Sequence, residues 1–277
     1  MEIKASDVKT LREKTGAGMM DCKNALIKAV GDYAKAEKIL REEGVSVAEK
    51  RIGRATNEGK IFSKIDGKRA VMLELDCETD FVSRNKDFID TGVKLVELVF
   101  AKNLREPNAE MQALVTEVIS KIKENIILKR FTVVEAGAGE LLVDYIHSDK
   151  LGVLIRVKAD KPELAADKRV HDFAFDIALH VAAFNPKYLD RSKIDAAFIK
   201  EQEEIFTKQA EGLGKPATVL QGIIKGKVNK YLSDICLLDQ GFVKDEKVPV
   251  GKAITEFSKQ IGATLSVVEY LYYKVGE

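Results

Sequence analysis

Histidines and cysteines are the side chains of this sequence best suited to catalysis or metal binding. His147, His171 and His180 lack HExxH spacing and have no cysteine partner close by, so zinc binding is not expected. The three cysteines are single and widely separated, which excludes a CxxC metal clip and a readable disulfide framework. The sequence therefore predicts no metal site, and it predicts reduced cysteines that pack as small apolar side chains.

The glycine-rich segments do not match a nucleotide-binding loop. The chain has no G-x-x-x-x-G-K-[S/T] sequence, whose backbone would surround a phosphate group. Residues 16–18 read Gly-Ala-Gly, but a helix precedes them and Asp21 stands where a dinucleotide loop needs its third glycine. A tight turn between two helices is the better interpretation. Because G-x-S-x-G is also missing, we predict no catalytic residue, no cofactor and no enzymatic activity.

The charge balance argues against a partner that is held by phosphate neutralisation. Lys and Arg number 45 and Asp and Glu 44, and residues 1–56 carry only a mild positive excess. No apolar run approaches the ~18 residues that span a bilayer, and the first residues lack the apolar segment of a signal peptide. We therefore expect a cytoplasmic protein that binds neither nucleic acid nor a membrane.

The first part of the chain, to about residue 50, predicts three short helices. Ser6 is the expected N-cap of the first helix and Asp32 that of the third. Gly44 is the expected residue after the end of the third helix, because glycine adopts the left-handed conformation found there. Residues 45–58 then read as a charged connector.

Beyond the connector, a strand–turn–strand–helix pattern occurs twice. Shifting the chain by 82 residues aligns the apolar positions of the two second strands and places Gly67 on Asp149, each at a turn. The first long helix of this region is expected to bury an apolar face that includes Val93. The pattern predicts two similar α/β subdomains.

A helical hairpin is predicted after the second long helix. Ser192 is the expected cap of its first helix, Gly212 and Gly214 break that helix, and Pro216 takes a first-turn position in the second. Both helices carry an apolar stripe, which favours an antiparallel coiled-coil arm.

Five stretches resemble signature sequences of the elongation factor Ts family: residues 11–26, 74–85, 176–183, 225–231 and 237–245. They occur in the family's order and are spread along the whole chain. The resemblance implies an α+β fold with a three-helix, ubiquitin-associated-like (UBA-like) domain, then a core of two α/β subdomains with the hairpin inserted. The expected divisions are 1–55 for the UBA-like domain, 56–139 for the core N-subdomain and 140–277 for the core C-subdomain, with the hairpin at about 192–235.

The resemblance also implies a function. Members of the family bind elongation factor Tu with GDP and promote GDP release and exchange for GTP by disturbing its Mg²⁺ and phosphate site. An exchange factor stabilises the nucleotide-free partner, and linkage requires that factor and nucleotide weaken each other equally. No covalent chemistry is needed.

Two other functions compete with this one. An RNA- or ribosome-binding module would need a basic face with stacking aromatics, whereas the helical domain has one aromatic residue, Tyr33. An enzyme that used Asp80, His147 and His180 ranks last, because no motif fixes their mutual geometry.

Residues 79–82 contain the main candidate contact. By pattern alone, Thr79 is a helix N-cap, Asp80 a first-turn acid and Phe81 a core residue, because most phenylalanines are buried. The family resemblance implies instead that Asp80 and Phe81, flanked by Thr79 and Val82, project into the nucleotide domain of Tu.

Secondary contacts with Tu are implied by the same resemblance. By pattern, His147 is an ordinary surface histidine, and Met19 and Met20 are core residues. The resemblance implies that His147 reaches a second domain of Tu, and that Arg12, Met19 and Met20 belong to a helical domain that docks on the nucleotide domain. A homodimer through the core or the helical hairpin is left open.

Overall fold

The computed structural model describes residues 3–211 and 216–277. It combines helices with small sheets, which confirms the predicted α+β class. The chain forms two compact units, the first made of Met1–Val134, Ser148–Leu151 and Tyr273–Glu277 and the second of Glu135–His147 and Gly152–Tyr272. Within the described ranges, no helix has both the length and the apolar character needed to cross a membrane.

The elements of the first unit are α1 (Ala5–Thr15), α2 (Met19–Lys28), α3 (Tyr33–Arg51), β1 (Glu58–Asp66), β2 (Arg69–Cys77), α4 (Asp80–Ser83), α5 (Lys86–Lys102), α6 (Ala109–Ile122) and β3 (Ile126–Glu135). The prediction that Ser6 caps α1 is wrong, because the helix begins at Ala5 and its N-cap is Lys4. Asp7 closes that first turn, accepting a hydrogen bond from the Lys4 amide at 3.1 Å. Gly16 ends α1 with φ +69°, a conformation that glycine adopts without strain.

Helix α3 is longer than the sequence indicates. Asp32 caps it as predicted, since its Oδ1 accepts the Lys35 amide hydrogen at 3.0 Å. Gly44 does not end it: the helix continues to Arg51, and Gly44 is buried inside it. A Cβ atom at Gly44 would lie 2.7 Å from the Cβ of Ser120 on α6. Close packing of α3 on α6, rather than helix termination, therefore requires glycine here.

A three-stranded sheet of order β1-β2-β3 forms the centre of the first unit. Strands β1 and β2 pair antiparallel through a turn at Gly67, where φ is +57°. One face of β2 packs against α5 and α6 through fully buried apolar side chains: Val71, Leu73, Leu75 and Cys77. Because β2 is the middle strand and both of its faces are buried, the sheet fixes the position of the chain that follows Cys77.

Helix α5 lies close on this sheet. Gly92 faces Phe62, and a Cβ at Gly92 would come within 2.2 Å of that ring, so glycine is needed for the approach. The expected burial of Val93 is wrong: its side chain is 49% exposed. The buried residues Phe88, Leu95 and others of α5 define an inner face, and a residue one step after Gly92 points well away from it at 100° per residue.

The second face of β2 carries two buried acids. Glu74 and Asp76 are two residues apart, so they share this face, and both are almost completely excluded from solvent. Arg130 on β3 donates to Glu74 Oε2 at 2.6 Å, whereas neither Asp76 oxygen accepts a hydrogen bond from a residue that the structure describes. Burial, and then the charge of Glu74, raise the pKa of Asp76 to about 7.

The elements of the second unit are β4 (Glu140–His147), β5 (Leu151–Ala159), α7 (Lys168–Phe184), α8 (Ala196–Glu211), α9 (Ala217–Ile235), β6 (Gly241–Phe242), β7 (Asp245–Pro249), α10 (Val250–Ile261) and β8 (Leu265–Lys274). Strands β4, β5 and β8 form a sheet in that order, and β6 pairs with β7. The order strand, turn, strand, helix thus occurs a second time. The intervening turn contains Ser148 and Asp149, both with positive φ.

Helices α8 and α9 form the hairpin. Ser192 does not cap α8: it lies in a short 3-10 turn, Arg191–Lys193, and α8 begins at Ala196, where Asp195 accepts the Ala197 amide hydrogen at 2.8 Å. Asp195, which lies directly before the helix start, therefore supplies the capping acceptor in place of Ser192. Pro216 immediately precedes α9 instead of lying in its first turn. The predicted breaks at Gly212 and Gly214 lie outside the described residues.

The buried acid Asp76 generates a prediction about stability and pH. The folded-state pKa is raised above the unfolded value of about 4, so stability is lost as the pH rises through the interval up to about 7. We expect Asp76→Asn to raise the free energy of unfolding at about pH 8, by at most about 4 kcal/mol, with the gain shrinking toward pH 4.5. Chemical denaturation at both pH values measures this.

Asp66→Asn is the matched control, because it removes the same charge from an exposed position on β1. We expect no pH-dependent gain from it. Parallel pH profiles for the wild type and Asp76→Asn would show that Asp76 ionises in the folded protein as it does in the unfolded chain.

Candidate partner-binding site

A single helical turn follows strand β2 and carries the main candidate residues. Thr79 is its N-cap, as the pattern predicts, and its hydroxyl oxygen accepts the Val82 amide hydrogen at 3.4 Å. The Ser83 hydroxyl donates to the Asp80 carbonyl oxygen at 2.9 Å. Val82 is buried in the core cluster below the sheet, so the turn is anchored by one apolar side chain.

Phe81 lies on the outer side of this turn and is 83% exposed. The interpretation of Phe81 as a core residue, drawn from pattern alone, is therefore wrong. Burial of its neighbour Val82 directs the Phe81 ring outward, because adjacent residues of a helical turn point about 100° apart. An exposed ring of this size forgoes roughly 1.5–3 kcal/mol of transfer free energy, which becomes available to a partner that covers it.

Asp80 lies next to this ring and is only weakly engaged. Its carboxylate is 3.2 Å from the Arg84 guanidinium, and both side chains are substantially exposed. Ion pairs of this kind contribute little to stability, so the Asp80 carboxylate can exchange Arg84 for another group at small cost. The turn therefore presents an apolar ring and a negative charge side by side.

Cys77 lies just before the turn and is buried. Its thiol donates to the Thr79 carbonyl oxygen at 3.2 Å. Burial, and then the nearby Glu124 charge, raise the pKa of this thiol to about 12. The group therefore remains a neutral thiol and acts as a structural donor at the base of the turn.

Helix α2 carries a second exposed apolar surface. Met19 and Met20 are both exposed, Met20 by 62%, which corrects the interpretation of them as core residues. Ile27 (53%) and Val30 (71%) are also exposed, and sequence reasoning missed both. The available signal was spacing: Met20 and Ile27 are seven residues apart, which places them on the same helix face. We call these four residues the α2 surface. Arg12 is exposed on α1.

Val30 is unusual in its backbone as well as its exposure. Its φ is +53°, in the left-handed region that a β-branched residue rarely adopts. That conformation costs a non-glycine residue roughly 1–2 kcal/mol. The conformation ends α2, because the Val30 and Gly31 amides donate to the Ile27 and Leu26 carbonyl oxygens at 3.1 and 2.9 Å. The exposed valine side chain is not needed for that turn, and strained residues of this kind cluster at functional sites.

His147 ends strand β4 in the second unit and is exposed. Its Nδ1 is 2.8 Å from the Tyr145 hydroxyl, and Tyr145 packs edge-on against Phe175 at 5.7 Å. The imidazole is therefore oriented by a tyrosine that is itself held by packing. This leaves Nε2 as the other polar atom of the ring.

His180 has a structural environment on α7. The ring is completely buried, Nε2 lies 3.0 Å from Gln240 Oε1, and Nδ1 accepts the Val243 amide hydrogen at 3.1 Å. Burial lowers the pKa of His180, which keeps the ring neutral and able to accept that hydrogen bond. Both ring nitrogens are thus used in packing α7 against the chain near β6, which gives the enzyme alternative no support.

Metal binding has no candidate in the part of the chain that the structure describes. No group of three or more His, Cys, Asp or Glu side chains there is arranged to hold a metal ion.

The chain is similar to known proteins over its whole length. The family model described as Elongation factor TS matches residues 78–277. The chain is 49% identical to elongation factor Ts of Treponema denticola, covering 100% of this chain and 99% of that protein. It is 42% identical to elongation factor Ts of Borrelia recurrentis, with 100% of both chains covered. It is 41% identical to that of Borreliella burgdorferi, with 99% of both covered.

The matched region begins at Glu78, immediately before the turn with the exposed Phe81, and the relatives align over the α2 surface as well. The chain therefore belongs to the elongation factor Ts family of translation elongation factors.

Proposed function

We propose that this protein binds elongation factor Tu, in its GDP-bound and nucleotide-free forms, and promotes release of GDP and its exchange for GTP. The observation that carries the proposal is the exposed Phe81 ring, held on an anchored turn in a member of this family. In this role the protein is no enzyme and needs no cofactor, and it acts in the cytoplasm. It makes or breaks no covalent bond, since stabilising nucleotide-free Tu is sufficient.

The proposed mechanism depends on a difference between two states of the partner. Phe81 inserts into the apolar interior of Tu's nucleotide domain and displaces elements that hold Mg²⁺ and phosphate. Asp80 brings a negative charge to the same region, which disfavours the metal–phosphate arrangement. A ring burial worth roughly 1.5–3 kcal/mol shifts the partner's equilibrium only because it is available in the opened state alone.

The α2 surface and Arg12 form the second contact in this proposal. We place them in a UBA-like domain, residues 1–55, that docks on the nucleotide domain of Tu. Two separate contacts on one partner raise the effective concentration of each, so the loss of either weakens binding beyond its own area. The exposed His147 makes a further contact, with another domain of Tu.

The remaining divisions complete the proposal: residues 56–139 form the core N-subdomain, residues 140–277 the core C-subdomain, and about 192–235 a coiled-coil arm. Side chains of α8 and α9 interlock, since the rings of Phe198 and Phe206 pack against Tyr231 at 6.3 and 5.9 Å. A contact with a second copy of this chain would use the core or the arm, where Ile205 and Val219 are exposed.

Two observations favour this function over an RNA- or ribosome-binding module. Tyr33, the aromatic residue of the helical domain, packs against that domain's core and so offers no stacking platform. Several of the domain's basic side chains are paired with acids, for example Lys28 with Glu43 at 2.5 Å. The domain therefore presents acids and bases side by side rather than the uniformly basic face that favours phosphate binding.

The first test of the proposal uses Tu loaded with fluorescent GDP and an excess of unlabelled GDP. We expect the wild-type protein to accelerate GDP release, and Phe81→Ala to reduce the acceleration by about ten- to a hundredfold, the equivalent of one buried ring. Because the Phe81 ring is exposed, the unfolding midpoint of the Phe81→Ala variant should match that of the wild type. Absence of any acceleration by the wild type would refute the proposed function.

Phe88→Ala is the matched control for this experiment, because Phe88 is fully buried a few residues along the chain. It should lose about 3–5 kcal/mol of stability, as truncated core phenylalanines do. If Phe81→Ala loses comparable stability while its folded fraction stimulates release normally, Phe81 is a packing residue and the wedge mechanism is wrong.

A second prediction concerns Val30. Asparagine tolerates the left-handed conformation, so Val30→Asn should increase the free energy of unfolding by about 1 kcal/mol. It also removes an apolar contact from the α2 surface, so its affinity for Tu should fall about three- to tenfold by calorimetry. Stability and binding are thus expected to change in opposite senses.

Ile52→Asn provides the comparison, since Ile52 is exposed but has φ −54° and lies outside the α2 surface. We expect neither change from it. An unaltered affinity in Val30→Asn would remove Val30 from the contact.

A further inference from the structure

We propose that Glu124 is a positioning residue for the turn that carries Asp80 and Phe81. The inference rests on the function proposed above for that turn. It arises from a set of hydrogen bonds between residues 78–79 and residues 124–125, two segments that are 45 or more positions apart in the chain.

The two segments exchange hydrogen bonds in both directions. Glu124 accepts from the Thr79 amide at 3.2 Å and from the Thr79 hydroxyl, which lies 2.9 Å from one carboxylate oxygen and 3.3 Å from the other. In return, Glu78 accepts the Asn125 amide hydrogen at 2.6 Å. Hydrogen bonds to carboxylates are stronger than neutral ones, and Glu78 and Asn125 are largely shielded from solvent. We call these four residues the clasp.

The clasp is also joined to the chain that follows α3. The Asn125 side-chain amide donates to the Arg54 carbonyl oxygen at 2.8 Å. The guanidinium groups of Arg51 and Arg54 lie 3.8 and 3.4 Å from the Glu78 carboxylate. The preceding residue Lys123 reaches Asp21 on α2 at 3.2 Å, close in sequence to Met19 and Met20. Residues 123–125 therefore contact the surroundings of both exposed surfaces.

The turn needs this external support. Helix α4 has four residues, and a single turn is not stable by itself because helix nucleation is unfavourable. The exposed Phe81 ring contributes nothing to holding it, and the Asp80–Arg84 pair is exposed. What remains is the burial of Val82 and Ser83, the hydrogen bond from the Cys77 thiol to the Thr79 carbonyl oxygen, and the clasp. Glu124 acts on the N-cap residue itself, so it sets the direction in which the turn starts.

Ordering the turn before binding has a functional consequence. A ring on a mobile turn loses conformational freedom when it inserts, and that loss reduces the binding free energy. A ring on a turn that is already ordered loses little further conformational freedom on insertion, so more of the contact free energy contributes to binding. Loss of Glu124 should therefore impair exchange through Phe81, although Glu124 itself does not enter the partner.

The experiment compares Glu124→Ala with Glu117→Gln, a control on α6 that removes an exposed acid paired with Lys121. Amide hydrogen exchange is measured first, without Tu. Glu124→Ala should accelerate exchange at Thr79 and Val82 by tenfold or more, with the sheet core unchanged. It should also reduce the stimulation of GDP release about tenfold, which corresponds to about 1.4 kcal/mol. The control should change neither quantity.

The double variant Phe81→Ala/Glu124→Ala separates positioning from general stability. Once the ring is absent, only the placement of Asp80 can still be lost, so the second substitution should cost much less activity than Glu124→Ala does alone. If the losses of GDP-release activity in the two single variants add up in the double variant, the inference is wrong. It is also wrong if Glu124→Ala stimulates GDP release normally while Phe81→Ala does not. If Phe81→Ala is fully active, the wedge mechanism fails, and amide exchange alone decides whether the clasp holds the turn.

Glu124→Gln covers the case in which Glu124→Ala does not fold. It keeps one oxygen within reach of both Thr79 donors, at 3.2 and 3.3 Å, but removes the negative charge that strengthens these hydrogen bonds, so protection at Thr79 should fall to an intermediate level. Unchanged protection in a folded Glu124→Gln protein would overturn the inference.

Discussion

The burial of strand β2 is the constraint on which the candidate site depends. β2 is the middle strand of its sheet, and its apolar face is completely covered by α5 and α6. A strand held in this way cannot shift its register without moving its apolar set to the wrong face. The residues that leave its end therefore start from a fixed point, and Phe81 lies only a few residues beyond it. A large apolar ring in solvent is useful for recognition only if its position is determined.

The same unit accepts several unfavourable local arrangements. Phe81 and Met20 expose apolar surface, Val30 occupies a left-handed backbone conformation, and Asp76 is buried without a hydrogen-bond donor among the described residues. Folded domains have small net stabilities, so each such feature is a substantial fraction of the total. The first three lie at the surface and belong to the proposed contacts, whereas Asp76 lies inside. Local disagreement with folding rules is most informative where the residue is also exposed.

The order of elements was largely predictable because it depends on local periodicity and turn chemistry. Asp32 was recognisable as a cap from its own neighbours. Gly44 was not interpretable in this way, because the reason for glycine there is Ser120 on another helix. Ser192 failed as a cap for a related reason, since Asp195, nearer the helix start, supplies the better acceptor. Val93 was predicted to be buried because it is apolar. The buried residues of α5 set how the helix faces the sheet, and position 93 points away from that face.

For the site, local sequence identified Thr79 as a cap but gave the wrong environment for Phe81 and the two methionines. Residue type predicts burial only on average, and the deciding contacts here come from distant parts of the chain. The pairing of Thr79 with Glu124 belongs to tertiary structure and leaves no trace in spacing. The family resemblance did imply that Phe81 projects outward, because relatives with the same fold share these tertiary contacts. It did not identify which residues make them.

The thiol of Cys77 makes this region accessible to chemical observation. It lies beneath the turn, donates to the Thr79 carbonyl oxygen, and has a pKa raised to about 12. While the turn is in place, the thiol therefore stays protonated and reacts poorly with alkylating reagents. The group becomes reactive only when the segment opens and water reaches it. The rate at which Cys77 is alkylated therefore measures how often the base of the turn unfolds locally. No label has to be added to the surface that contacts a partner.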